Sequence, residues 1–209
     1  MKTNTDLSPY LARSEVIDFD HPAVAALAAE LTRGLANDYD KARRCFEFVR
    51  DEIRHSWDYR QGPLTCKASD VLQHRTGYCY AKSHLLAALL RANGIPAALC
   101  YQRLSVGEHG APYCLHGLNA VFLQGHGWYR IDARGNKPGV DARFSPPHEA
   151  LAFATSEAAT HDLPGLFAEP VPVIAAALTT HNDIAALYAD LPDMELADWL
   201  RLHAEAQAT

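Results

Sequence analysis

The sequence predicts an α+β fold, with helices first and an antiparallel sheet after them. Two observations carry this expectation. Apolar residues recur at helical spacing up to Ala92, ending in Leu85-Leu86-Ala87-Ala88-Leu89-Leu90, a run apolar on nearly every face that belongs in the middle of a domain. Beyond Pro96 the pattern changes to three strand-like stretches, and Gln124-Gly125-His126-Gly127 joins the last two as a hairpin turn.

The elements follow in order. A first helix is predicted over about 21–34, with Val24, Leu27 and Leu31 on one stripe, Asp20 as N-cap and Pro22 in the first turn. A second, over about 40–55, places Cys45, Phe46, Val49 and Ile53 on one face. Residues 57–63 read as a loop, and 68–74 as a short helix capped by Ser69 or Asp70. Thr76-Gly77 breaks the chain before a helix over 79–92, which stops at Asn93-Gly94 with Pro96 just beyond. Strands are expected over 97–104, 115–123 and 128–133. Domain bounds follow: a core over 1–135, and an extension over 136–209, rich in proline, packed on that core as part of one domain. Within the extension, helices are expected near 173–178 and 183–190, and the segment 163–167 as a cover for the cleft.

Composition narrows the function. The 209 residues are 48% hydrophobic and 21% charged, as in a globular protein, and carry a net charge of -6. Acidic balance of that kind argues against a nucleic-acid partner, and Lys41, Arg43 and Arg44 read as one solvated helix face. The amino terminus is polar and no apolar run approaches the roughly 18 residues of a membrane span. A cytoplasmic protein is therefore expected, with no membrane partner. Five cysteines, an odd number without paired spacing, are expected as free thiols in a reducing compartment, with neither metal nor other cofactor. Most of them, Cys100 and Cys114 included, should simply pack, and so should Trp128 and Trp199. His74, His84, His109, His126, His161 and His181 share no spacing, and most are expected to be exposed.

Cys79 differs from the other four thiols in position. It opens the buried helix, where roughly half a positive charge favours the thiolate and unpaired N–H groups can receive an oxyanion. A core cysteine that happens to begin a helix would look the same. The hairpin separates the two readings. If its turn centres on Gly125, Leu118 faces Asp132, and Asp132 becomes a diagonal neighbour of His116 on one face, at about 7–8 Å between Cβ atoms. A slip of one residue would put the two on opposite faces. Cysteine, histidine and aspartate so placed form a relay: nucleophile, base, and a carboxylate that orients the imidazole.

These residues resemble a known family. Thr76-Gly77-Tyr78-Cys79-Tyr80-Ala81-Lys82, running on through Leu89-Leu90-Arg91-Ala92-Asn93-Gly94-Ile95-Pro96-Ala97, is similar to the core of transglutaminase-like proteins. There a Gly-x-Cys begins the nucleophile helix and Leu-Arg-x-x-Gly-Ile-Pro-Ala ends it. His116 and Gly127-Trp128-Tyr129-Arg130-Ile131-Asp132 match the histidine and aspartate segments in order and type. The resemblance covers about 40–133 and implies a papain-like core, its cysteine helix packed on the antiparallel sheet. It further implies Cys79 as nucleophile, His116 as base and Asp132 as orienter, acting on a peptide or small amide by acyl transfer or hydrolysis. The family often has tryptophan two residues after the histidine, where this chain has Leu118. Its second oxyanion donor is an upstream side chain, for which Trp57 and Gln61 are the candidates, although Trp57 equally suits closure of the core. Two other readings remain at this level. One is an arylamine N-acetyltransferase-like enzyme, and the other a non-catalytic scaffold on the same fold.

Overall fold

The structure is a computed structural model that describes residues 6–107, 109–155 and 159–207. Helices α1 (Pro22–Leu31), α2 (Asp38–Glu52), α3 (Ser56–Tyr59) and α4 (Ala68–His74) precede α5 (Cys79–Ala92). Of these, α1, α2 and α4 pack directly on α5. As its apolar run requires, α5 is buried on every face from Cys79 to Arg91. Each fully buried leucine stabilises by about 1.5–3 kcal/mol, so the helix can carry polar side chains inside if they are bonded. Lys82 donates to the Ile53 and Arg50 carbonyls, His84 Nδ1 meets the Cys66 carbonyl at 2.8 Å, and Arg91 donates to the Ala97, Ala12 and Ala168 carbonyls. His84 is thus a core residue and not one of the exposed histidines.

The main sheet runs β5-β4-β3-β6, from β3 (Ala97–Ser105), β4 (Tyr113–Leu123), β5 (Gly127–Ile131) and β6 (His161–Phe167), all neighbours antiparallel. A two-residue parallel ladder, β1 (Arg54–His55) with β2 (Thr76–Gly77), stands apart from it. The fold is therefore α+β, as the sequence predicts. Beyond the sheet lie α6 (Pro172–Thr180), α7 (Ile184–Ala189) and α8 (Leu196–Gln207). No helix among the described residues is long and apolar enough to cross a membrane.

Several local expectations are corrected. The cap of α1 is His21, whose ring accepts from Ala23 N–H, and not Asp20. Neither Ser69 nor Asp70 caps α4; Asp18 reaches across to accept from Ser69 N–H. Helix α2 stops at Glu52 because Arg54 and His55 pair with the segment ahead of Cys79. The predicted loop over 57–63 begins inside the helical turn α3. Residues 163–167 do not cover a cleft. They form most of β6, and Pro164 is tolerated there because the strand is at the edge of the sheet.

Helix α5 meets the sheet at Gly117. A Cβ on that residue would lie 2.9 Å from the Tyr80 ring and 3.1 Å from Tyr80 Cα, so glycine is what admits the first turn of the helix. Tyr80 then donates its hydroxyl to the Leu115 carbonyl at 2.5 Å, and Asn119 Nδ2 donates to the Ser83 carbonyl at 2.9 Å. A Gly117→Ala variant should lose about 1–3 kcal/mol in denaturant unfolding through this overpacking. An unchanged midpoint would show that the approach is loose.

Candidate active site

Cys79 is the first residue of α5. Tyr78, the cap, is extended and gives no side-chain hydrogen bond, and the first helical bond runs from Lys82 N–H to the Tyr78 carbonyl at 2.9 Å. The N–H groups of the intervening turn have no intrahelical partner, which leaves a donor set beside the sulfur.

The hairpin holds the register expected of it, with Asn119 facing Ile131 and Ala120 facing Arg130. Because β5 ends at Ile131, β4 is unpaired on that side at His116 and Gly117, where the first turn of α5 arrives. The structure brings Cys79, His116 and Asp132 together at this point. His116 Nε2 lies 2.8 Å from Asp132 Oδ2, with the two side chains 5% and 0% exposed. That bond leaves Nδ1 for the Cys79 sulfur, whose interaction with the ring favours its charged form. Asp132 accepts two further bonds, from the N–H groups of Arg134 (3.1 Å) and Ala152 (3.2 Å).

Burial by itself would lower the His116 pKa. The charges of Asp132 and Cys79 and the hydrogen bonds to both outweigh it and push the value up to about 10. Burial likewise opposes ionisation of Asp132, yet the imidazolium and the two backbone donors hold its pKa below the usual carboxylate value. The other four thiols are pushed up by burial: Cys45, Cys100 and Cys114 to about 12, and Cys66 to about 11.

The sulfur and imidazole open on a cavity of about 460 Å³. Trp57 forms part of its wall, its ring stacked at 3.4 Å on Tyr188 of α7 and covered on Arg60 at 3.4 Å. Gln61 does not line it; its side-chain oxygen accepts from Arg54. Of the two upstream candidates, only Trp57 borders the site.

Three wall residues were not evident from the sequence: His55, Asp58 and Arg134. Arg134 forks onto Asp58 at 2.5 and 3.0 Å, and Lys137 adds a third donor at 2.8 Å. Burial disfavours the Asp58 charge, but these donors hold its pKa down at about 2. No spacing pattern signals a pair 76 residues apart. His55 reaches the site through the β1–β2 ladder, which is too short to leave a periodic trace.

The raised His116 value makes a prediction. Its folded-state pKa lies above the ordinary 6.5, so its stabilisation is complete below that pH and is lost as pH rises through about 10. Removing the carboxylate charge with Asp132→Asn should lower the His116 midpoint by about 1–3 pH units in an NMR titration of the ring protons. An unmoved midpoint would mean that Asp132 is not what holds the ring charged.

Comparisons with known proteins place the chain in a family. The profile of the transglutaminase-like superfamily matches residues 25–133, from the end of which Asp132 comes. Among solved structures, a candidate cysteine protease from Cytophaga hutchinsonii is 22% identical with a TM-score of 0.51, over 64% of this chain and 43% of its own. The periplasmic domain of TgpA from Pseudomonas aeruginosa is 23% identical with a TM-score of 0.46, over 59% and 45%. This chain therefore spans less than half the length of either structure. No curated protein matches it. The first likeness is one of fold, and the profile covers more than half of the chain, a span that includes Cys79, His116 and Asp132. The chain belongs to the transglutaminase-like superfamily.

Proposed function

We propose that the chain is a thiol enzyme that carries out acyl transfer or amide hydrolysis through a thioester on Cys79. One observation carries the reading: a single imidazole bonded to a buried carboxylate and interacting with the sulfur at a helix N-terminus, both facing a cavity. A histidine held protonated beside that sulfur is the arrangement of a thiolate–imidazolium pair. The thiolate attacks the carbonyl carbon of a peptide or small amide, and the resulting oxyanion lies against the free N–H groups of the first turn of α5. The C–N bond breaks as His116 gives its proton to the departing amine. Water or a primary amine then cleaves the thioester and restores the thiol. Asp132 holds the ring in the tautomer this requires and stabilises its charged form.

The cavity beside the sulfur favours an enzyme over a scaffold, since a ligand has somewhere to sit. Five free thiols, one of them needed as a nucleophile, suit a reducing compartment, and we place the protein in the cytosol on that ground.

Labelling tests the reading. At pH 6, iodoacetamide should modify Cys79 selectively, because the other four thiols are held in the protonated form by burial. Cys79→Ala should abolish the labelling and any thioester trapped from a library of amide and ester donors. Uniformly slow labelling of all five would remove the basis for an activated nucleophile, and turnover with acetyl-coenzyme A would favour the acetyltransferase reading. His116→Ala should lower kcat/KM by about 10²–10⁴-fold, the usual contribution of general acid–base catalysis.

A further inference from the structure

His55 takes no part in the chemistry above, yet it stands beside it. The register of β1 on β2 sets it opposite Gly77, and its ring lies 4.9 Å from that of Tyr78, the residue before the nucleophile. The side chain is buried and lines the cavity with Cys79 and His116. Its Nδ1 is sealed inside the protein with no hydrogen-bond partner, and Asp58 Oδ2 is 3.6 Å away, beyond bonding distance. A buried polar atom left unpaired is costly, and a catalytic role is one of the reasons a protein keeps one.

The surroundings settle which nitrogen offers what. A carboxylate on the Nδ1 side draws the ring proton there, because a lone pair would face negative charge. Nε2 is then an acceptor, and because the ring lines the cavity and only Nδ1 is sealed without a partner, Nε2 is the nitrogen left for a ligand there. Burial first, and then the Arg134 charge, hold the His55 pKa well below its ordinary value, with Lys82 and His116 acting in the same sense and Asp58 against them. The lone pair is therefore available at neutral pH.

We propose that His55 is a second catalytic imidazole, which accepts a hydrogen bond through Nε2 from the water or primary amine that attacks the Cys79 thioester and so holds that nucleophile against the acyl carbon. The inference rests on the thioester reading. In this step the nucleophile forms the new C–O or C–N bond, and its proton passes to His116, left neutral when the first amine departed. The C–S bond then breaks and the thiolate returns beside the re-protonated ring. His55 takes no proton; it orients the attacking group.

The test separates the two half-reactions with p-nitrophenyl acetate, whose acylation appears as a burst of p-nitrophenolate and whose deacylation sets the steady rate. His55→Phe keeps a ring against Tyr78 but cannot accept a hydrogen bond. Its burst rate should stay within about twofold of the unmodified protein while the steady rate falls about 10–100-fold, with acetylated Cys79 accumulating by intact mass. His55→Gln, which retains an acceptor oxygen, should recover part of the steady rate. Thermal unfolding of both variants controls for folding, and dividing the steady rate by the burst amplitude, which counts active sites, removes any dependence on the fraction folded. Equal losses in both phases would overturn the proposal, since an oxyanion donor or a purely structural residue behaves that way. So would two unchanged phases. If the unmodified protein shows neither burst nor mass gain on Cys79, the thioester reading itself fails, a result distinguishable from the others.

Discussion

The site depends on how closely the first turn of α5 approaches β4. A helix start and a strand normally stand a side chain apart, and here that spacing is removed at one point by Gly117. The Tyr80 hydroxyl bond to Leu115 on one side and the Asn119 bond to Ser83 on the other clamp the approach above and below it. Because β5 has already ended, the edge of β4 is open at the same level, and His116 can turn toward a sulfur that belongs to the helix. The sulfur therefore owes its neighbour to the absence of a methyl group and the shortness of a strand.

Electrostatics follow from that packing. Asp132 is fully enclosed, and an ionised carboxylate is tolerated there only because three donors converge on it. One of the three comes from the backbone of Arg134, whose guanidinium reaches the other way to Asp58. Residues 132–134 thus join the His116 pair to a second ion cluster on the cavity wall, and His55 lies beside that cluster, kept neutral first by burial and then by the Arg134 charge. Breaking a buried pair by removing one member is more damaging than replacing both, so these residues act as a connected unit.

Part of the cavity wall comes from beyond the segment shared with the family. Phe153, Thr160, Tyr188 and Leu191 all line it, and all follow residue 133. The segment just after Leu191 is held by bonds to the sheet: Leu115 N–H donates to the Pro192 carbonyl at 2.7 Å, and Arg103 forks onto Asp193 and reaches Glu195. The stack of Trp57 on Tyr188 closes one side. Shape around the sulfur is thus contributed in part by the stretch of chain whose sequence is least regular.

The sequence by itself determined the elements whose signals are local. The apolar run fixed α5 to the residue, with Cys79 at its start and Gly94 past its end, and the Gly125 turn fixed the hairpin register that makes Asp132 a diagonal neighbour of His116. Periodicity and turn chemistry act over a few residues, so they can be read along the chain. Tertiary structure alone decided the rest: β6, whose residues 163–167 read as a cover for the cleft until β3 offers them an edge; His84, polar in type but bonded to one carbonyl inside the core; Gln61, turned to Arg54 and away from the cavity. His55, Asp58 and Arg134 belong with these. Their roles arise from pairings across 22 to 76 residues, and a contact of that range is created by packing free energy that no local pattern records.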